Sequence, residues 1–580
     1  MKFLFYIPVG LISIVLLSLA SCRKAYESTP LGQQIPEEIA FDPHDSAGTY
    51  AKRFLLTTYA EALQNNHNRV SSNYLDAASD DAVSSQPGIP DVQKIATGAY
   101  TATAANADNV WEKSYIAIRD ATVFSVLINQ VPLAEKLSNG LPARPAYRSE
   151  ARFLRAYLYF ELVKRYGGVP LLGDQIRQLP DDVQLPRNNF ADCISYIVSE
   201  CDNIKDSLRT EQSINSTTYG RITSGAAMAL KARVLLYAAS PLFNGGNIEA
   251  GNPLTGYTNA DPGRWKIAAD AAKAVMDRGT YKLMPNFPDI FITQAAPAAA
   301  NTESIFWRQN GENTSVETSN GPVGYTTAGG AGITSPTQDL VDAFLTIDGK
   351  NIKDAGSAYD PNDPYKDRDP RLKSTVFYNG MLWINRPVET FDGGVDKPGG
   401  TLQQTKTSYY MRKFMGNFES VSGATIYSKT IHDFIYIRYA EILLNYAEAS
   451  NEFSGPSAEI LDAIRQIRKR AGINAGPDST FGVPASLSQN ELREVIHNER
   501  RIELAFEEHR FFDIRRWKTA ETVYSRPLRG LNIQRTSSGQ LSYNIVPVLT
   551  PVFRSPQMYL YPIPYGEVIK NPQMVQNPQW

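Results

Sequence analysis

"ERRIELAFEEHRFFDIRRW" occupies residues 499–517, and its spacing predicts the end of a helix that begins near Leu487 ("LSQNELREVIHNERRIELAFEEHRFFDIRRW", 487–517). Glu499, Glu503 and Glu507 recur at every fourth position and share one helical face. Arg500, Arg501 and Arg510 stand where they can pair with that face or with neighbouring helices. A catalytic reading of these carboxylates competes with a structural one. Leu504 and Phe506 are interleaved with the charges, and a charged face over apolar residues reads as an ion-pair network on a core. The stretch therefore predicts scaffold.

The same periodicity extends outward. "TYAKRFLLTTYAEAL" (49–63), "VWEKSYIAIRDATVFSVLIN" (110–129), "YRSEARFLRAYLYFELVKRY" (147–166), "FADCISYIVSECDNIKDSL" (190–208), "SGAAMALKARVLLYAAS" (224–240) and "RWKIAADAAKAVMDRGTYKL" (264–283) place apolar residues at helical spacing. So do "FIYIRYAEILLNYAEASNE" (434–452) and "SAEILDAIRQIRKRAG" (457–472), with Gly472 at a helix stop. Within 147–166, Ala151, Leu154, Leu158 and Leu162 make one apolar stripe, and Phe153, Tyr157 and Phe160 a second. A helix apolar on two sides packs between neighbours. Trp111 and Trp265, at helical spacing among apolar residues, are expected in the core. Stacked helix pairs of this kind have the character of tetratricopeptide units, without the strict consensus.

From 285 to 430 the texture changes to Gly, Pro, Asn, Thr and Asp with short apolar runs, as in "NGENTSVETSNGPVGYTTAGGAGITSPTQ". A loop region this long is more often functional than decorative. The predicted fold class is mainly α, with tetratricopeptide-like helix pairs and a long irregular loop-rich region. "DRDPRL" (367–372) lacks the Gly and terminal Glu of a calcium loop and is expected to be a capped turn entering the next element. Cys193 and Cys201 lie eight apart on one predicted helix, about 12 Å of rise, too far for a disulfide within that helix. They read as buried thiols.

The chain opens "MKFLFYIPVGLISIVLLSLASCRK": a basic Lys2, an apolar run over Phe3–Leu19, then small Ala20 and Ser21 before Cys22. This is a secretory signal, and it resembles a bacterial lipoprotein signal in which the cysteine is lipidated and begins the mature chain. Several acyl chains on one cysteine would give durable attachment where one would not. With a net charge of −2 and no long run of one sign, nucleic acid is excluded as a partner. The five His residues form no HExxH, and neither a Cys/His ligand pattern nor a GxSxG elbow is present. No metal and no cofactor are expected. Paired carboxylates stay open, because 60 acidic residues supply many accidental pairs.

"RSEARFLRAYLYFELVKRYGGVPLL" (148–172), "DRDPRL" (367–372), "IRYAEILLNYAEASNE" (437–452), "IRKRAGI" (467–473), 499–517 and the terminal "YLYPIPYGEVIKNPQMVQNPQW" (559–580) together resemble, in order, the signature segments of the SusD/RagB family. Its members are outer-membrane, lipid-anchored glycan-binding proteins. The resemblance implies a signal peptide over 1–21, a tether over 22–45 and a single body over 46–580. That body divides into an N-terminal helical part (46–284), the loop-rich part (285–430) and a C-terminal helical part with tail (431–580). It also implies a non-enzymatic role at the cell surface, in which oligo- or polysaccharide is captured and delivered to a SusC-like TonB-dependent transporter. A peptide-capturing lid and a glycosidase are the alternatives. The family usually carries Gly where Glu508 stands and ends near "QNPGY" where this chain ends "QNPQW"; Arg23 and Lys24 replace the acidic residues that favour surface export in related lipoproteins.

A sugar site needs exposed aromatic planes beside amide, carboxylate or guanidinium groups. Three stretches have that chemistry: 71–88 with Asn73, Tyr74, Asp80 and Asp81; 307–330 with Arg308, Asn310, Asn313 and Tyr325; and 378–387 with Trp383 and Arg386. These ten are the expected ligand residues.

Overall fold

Helix boundaries follow the capping chemistry of the sequence. In the computed structural model, which describes residues 36–63, 67–177, 184–292, 301–400, 402–416, 418 and 426–580, the principal helices are α1 (Thr49–Ala62), α2 (Trp111–Leu127), α3 (Ala143–Tyr166), α4 (Phe190–Ile204), α5 (Ser224–Ala239), α6 (Gly263–Asp277), α7 (Tyr439–Ser454), α8 (Ala458–Ala471), α9 (Gln489–Glu503) and α10 (Arg510–Arg516). The expected signal, Cys22 and the first part of the tether lie outside the described residues. Thr223 and Ser457 accept a hydrogen bond from a first-turn amide, and Ser488 with Glu491 forms a reciprocal capping box. Gly472 ends α8 in the left-handed conformation, as its position predicts.

Each helix packs on the next in sequence from α1 to α6, α6 packs on α7 across the whole loop-rich segment, and α7 carries both α8 and α9. The fold is thus mainly α, with a sequential stack from α1 to α6 that continues onto α7. The two-sided α3 sits between α2 and α4. Among the described residues, no helix is long and apolar enough to cross a membrane. Trp111, Trp265, Cys193 and Cys201 are buried, both thiols are free, and burial pushes the Cys193 thiol up to about 11.

The strands are short. β1 (Ala82–Ser84) pairs antiparallel with β3 (Thr334–Pro336), β2 (Ser304–Arg308) with β4 (Phe434–Arg438), and β5 (Leu528–Arg535) with β6 (Leu541–Leu549). Phe306 of β2 and Tyr436 of β4 stack and close against Phe153 and Tyr157 of α3, so helical and loop-rich parts share one core.

Three boundaries differ from expectation. "FIYIR" (434–438) is a strand, because its aromatic and β-branched residues pair with β2, and the helix starts only at Tyr439. The segment after α6 leaves the helix at Gly279, which has φ +65°. The long helix expected to run through 517 stops after Glu503: Phe506 and Glu508 both adopt φ +62°, and the chain restarts as α10. Glu508 therefore occupies a left-handed position that glycine takes without strain, at a cost of about 1 kcal/mol. Arg69 grips its carboxylate with two bonds of 2.6 Å.

That break turns Glu507 inward. Glu303, Glu499, Glu503, Glu507 and Asp369 meet Arg371, Arg438, Arg468, Arg470 and Lys413 in one buried network. Arg371 bridges Glu499 (2.7 Å) and Glu503 (2.8 Å), and Arg438 joins Glu303, Glu503 and Glu507. The expected network exists, but inside the core instead of over it. "DRDPRL" is the expected capped turn: Asp369 accepts from the Arg371 amide (2.9 Å) ahead of the short helix Pro370–Thr375.

Candidate ligand-binding surface

The three expected stretches converge. Pairing of β1 with β3 fastens 71–88 to the chain just after 307–330, and the Ser85 amide donates to the Ile333 carbonyl (2.8 Å). Asn320 reaches Asn68 (3.0 Å). The second stretch meets the third where the Tyr325 hydroxyl donates to the Arg386 carbonyl (2.9 Å) and the Arg386 guanidinium lies 3.9 Å from the Tyr325 ring centroid. Asp396, fully buried, accepts two bonds from Arg386 (2.7 and 3.0 Å) and further bonds from the Gly324 and Glu389 amides. Asp396 was not legible as part of this cluster, since "FDGGVDKPGG" (391–400) reads as turn alone.

Six of the ten expected ligand residues lie beneath this surface, where exposure was expected. Asn73 is buried and donates to Gln86 (2.8 Å); Tyr74 is buried against Phe414 in a stacked pair. Asp80 is taken by Arg510 (2.8 and 2.9 Å) and Asp81 by Arg501 (2.7 Å). Burial opposes ionisation of Asp80, but the Arg501 and Arg510 guanidinium groups outweigh it and hold the carboxyl well below its usual range. Trp383 is 0% exposed, edge-on to Phe377 and Phe418, and Tyr325 is buried under Arg386. The physical reason is common to all: a loop region without regular structure still needs an anchor core, and aromatic rings supply the most apolar area per residue.

Four expected residues remain near the surface with defined roles. Arg308 caps the carbonyls of Ala60 and Leu63 at the end of α1, and burial lowers its pKa. Asn310 donates to the His432 carbonyl (2.7 Å), while its amide donates to Asp433 (2.7 Å), whose carboxyl burial pushes up to about 6. Asn313 shapes its own turn through Ser315 (2.9 Å). Arg386 is half-buried and keeps an open face. Around it the arc exposes Leu382, Asn385, Val395, Thr326 and Thr327. What it offers a ligand is aliphatic C–H, amide, hydroxyl and guanidinium.

Comparison with known proteins agrees with this architecture. Residues 297–580 match the model of the SusD family, and residues 50–236 match that of a family described as starch-binding and associating with the outer membrane. A SusD-like protein of Formosa agariphila, P2, is 24% identical over 446 residues, 74% of this chain and 73% of that protein. A solved SusD-like protein of Bacteroides fragilis is 27% identical with a TM-score of 0.75, covering 94% of this chain and 100% of that one. A second from the same species, a SusD-like carbohydrate-binding protein, is 25% identical with a TM-score of 0.70, covering 91% and 99%. With both helical parts and the loop-rich part matched, the chain belongs to the SusD family, whose members include carbohydrate-binding proteins.

Proposed function

We propose that this protein is a non-catalytic outer-membrane lipoprotein that binds oligo- or polysaccharide and delivers it to a TonB-dependent transporter. Family membership over both halves supports the binding role, and the exposed loop arc beside the helical stack is consistent with it. The observation that carries the non-catalytic reading is the state of the glutamates: Glu499 and Glu503 are fully buried, the Glu507 side chain is 5% exposed, and each is paired with a cation. A glycosidase needs two carboxyls facing the scissile bond, and in this motif Glu499 and Glu503 are sealed in the core while Glu507 and Glu508 are held by Arg438, Lys413 and Arg69. Delivery uses the broad outer face of the helical stack as partner surface, and attachment uses lipid on Cys22.

Affinity electrophoresis against a polysaccharide panel tests the reading. Retention without new reducing ends is expected; release of reducing ends overturns it. A Cys22→Ala variant should leave the membrane fraction, and one that stays there refutes the anchor. One observation favours a peptide ligand as the second reading: Tyr74, Tyr325 and Trp383 turn inward, while Leu382 and the neighbouring Val395 face out. Calorimetry with a peptide digest in place of glycan decides between the two.

A further inference from the structure

Strand alternation sends neighbouring residues of β2 to opposite sides. Phe306 enters the core beside Phe153 and Tyr157, while Ile305 and Trp307 both line a pocket of about 280 Å3 on the flank of the helical stack. Ser304, Thr280, Thr302 and Gln212 complete its wall with hydroxyl and amide groups. Its volume lies near the lower limit of about 300 Å3 for pockets that hold drug-sized ligands, a size suited to one sugar ring.

The pocket is held rigidly. Glu211 forms its base, accepting from the Gly225 amide (2.8 Å), the Tyr281 hydroxyl (2.8 Å) and Arg278 (2.6 Å). Gly225 is required for that approach, because a Cβ there would stand 2.1 Å from the Tyr281 hydroxyl and 2.6 Å from Glu211. Tyr219 supports the Trp307 ring at 5.2 Å. Two polar groups of lining residues, both sealed behind the wall, stand apart from this order. The Trp307 indole N–H and the Ser304 hydroxyl are on side chains more than nine-tenths buried, and neither has a hydrogen-bond partner among the described residues. A buried donor without an acceptor costs stability, and burial of this kind is uncommon without a reason.

We infer that this pocket is a second saccharide subsite, separate from the loop arc, which takes one neutral sugar ring against Trp307 and Ile305. The ring's C–H face covers the apolar wall. Its hydroxyls accept from the Trp307 N–H, after a small shift of the ring edge, and exchange hydrogen bonds with Ser304, Thr302 and Gln212. The inference rests on the glycan-binding reading above and adds a location to it.

Calorimetric titration of wild type and Trp307→Phe with maltotriose, laminaritriose, cellotriose and xylotriose tests it, with Asn385→Ala as the arc variant. Trp307→Phe keeps an aromatic face and removes the N–H together with the pyrrole half of the indole. Its affinity for whichever trisaccharide binds should fall about fivefold or more, the factor that one hydrogen bond is worth, while its Tm stays at or above that of wild type. The difference between wild-type and variant tryptophan fluorescence should change on adding that sugar. Should the Tm fall, Gln212→Ala, at an exposed rim position, replaces it with the same expected loss. Wild-type affinity in both variants overturns the subsite and leaves the arc reading standing if Asn385→Ala weakens binding. Failure of wild type to bind every glycan in this set and in the polysaccharide panel overturns both.

Discussion

The C-terminal helical part and the loop-rich part solve the same problem with opposite materials. Around α9 the interior is built from charge: Arg371 and Arg438 lie fully buried among Glu303, Glu499, Glu503 and Glu507. Between 370 and 430 it is built from rings, with Trp383, Phe377, Phe418 and Tyr427 packed together. Long helices fix their side chains in register, so fork-shaped guanidinium groups can satisfy several carboxylates at once. Irregular loops lack that register and depend on non-directional apolar contact. Charged and aromatic residue types that suggest function in the sequence are therefore largely buried in both regions.

Several experiments press on this contrast. Arg438→Met should produce the largest effect, since it removes from the core the cation shared by Glu303, Glu503 and Glu507; a loss of about 4 kcal/mol in guanidinium unfolding is expected. A loss below about 1 kcal/mol would mean the network is hydrated and the contrast false. Trp383→Ala should cost about 3 kcal/mol by leaving a cavity. Loss of glycan retention in a fully folded Trp383→Ala protein would return that residue to the ligand site.

Buried carboxyls with and without a cation partner among the described residues should also respond to acid with opposite sign. Burial works against ionisation of Glu161 and Glu448, but Lys164 with Arg165, and Arg516 with Arg500, outweigh it and hold both carboxyls down to about 2. Their folded pKa values lie below the unfolded value near 4.3, so their stabilisation is present above that pH and is lost as pH falls towards 2. Asp433, at the border of the loop-rich part, is raised by burial to about 6. The folded state then binds the extra proton first, and stability rises as pH falls from above 6 to about 4. Tm measured from pH 7 to 2 should show a rise and then a fall, and Asp433→Asn should flatten only the rise. The smallest effect is expected at the arc: Asn385→Ala should change Tm within about 0.5 kcal/mol of stability while weakening glycan retention. Unchanged retention would move the ligand off the arc.

Much of the frame was legible because helices announce themselves through local periodicity and caps. The stripes of 147–166, the stop at Gly472 and the Asp369 cap all lie within a few residues of the features that cause them. The break at Phe506 and Glu508 was not, because the left-handed backbone at Glu508 is stabilised by Arg69, 439 residues away in the chain. The glycine usual in the family at that position was the available signal. Site residues were the least legible: the composition of 71–88, 307–330 and 378–387 predicted sugar chemistry, but burial of Tyr74, Tyr325 and Trp383 depends on Phe414, Arg386 and Phe418, which lie far from some of them in sequence. Trp307 stands at the head of a stretch whose composition is that of a loop, and only its place in β2, beside Ile305, gives it a pocket.

By itself the sequence determined the helical stack, the caps, the buried thiols and the family to which the chain belongs, since each depends on spacing within one or two turns or on segments in a fixed order. Tertiary structure alone decided which charged and aromatic side chains face water. That choice is set by partners hundreds of residues away, and exposure is a property of the packed whole that no local pattern encodes.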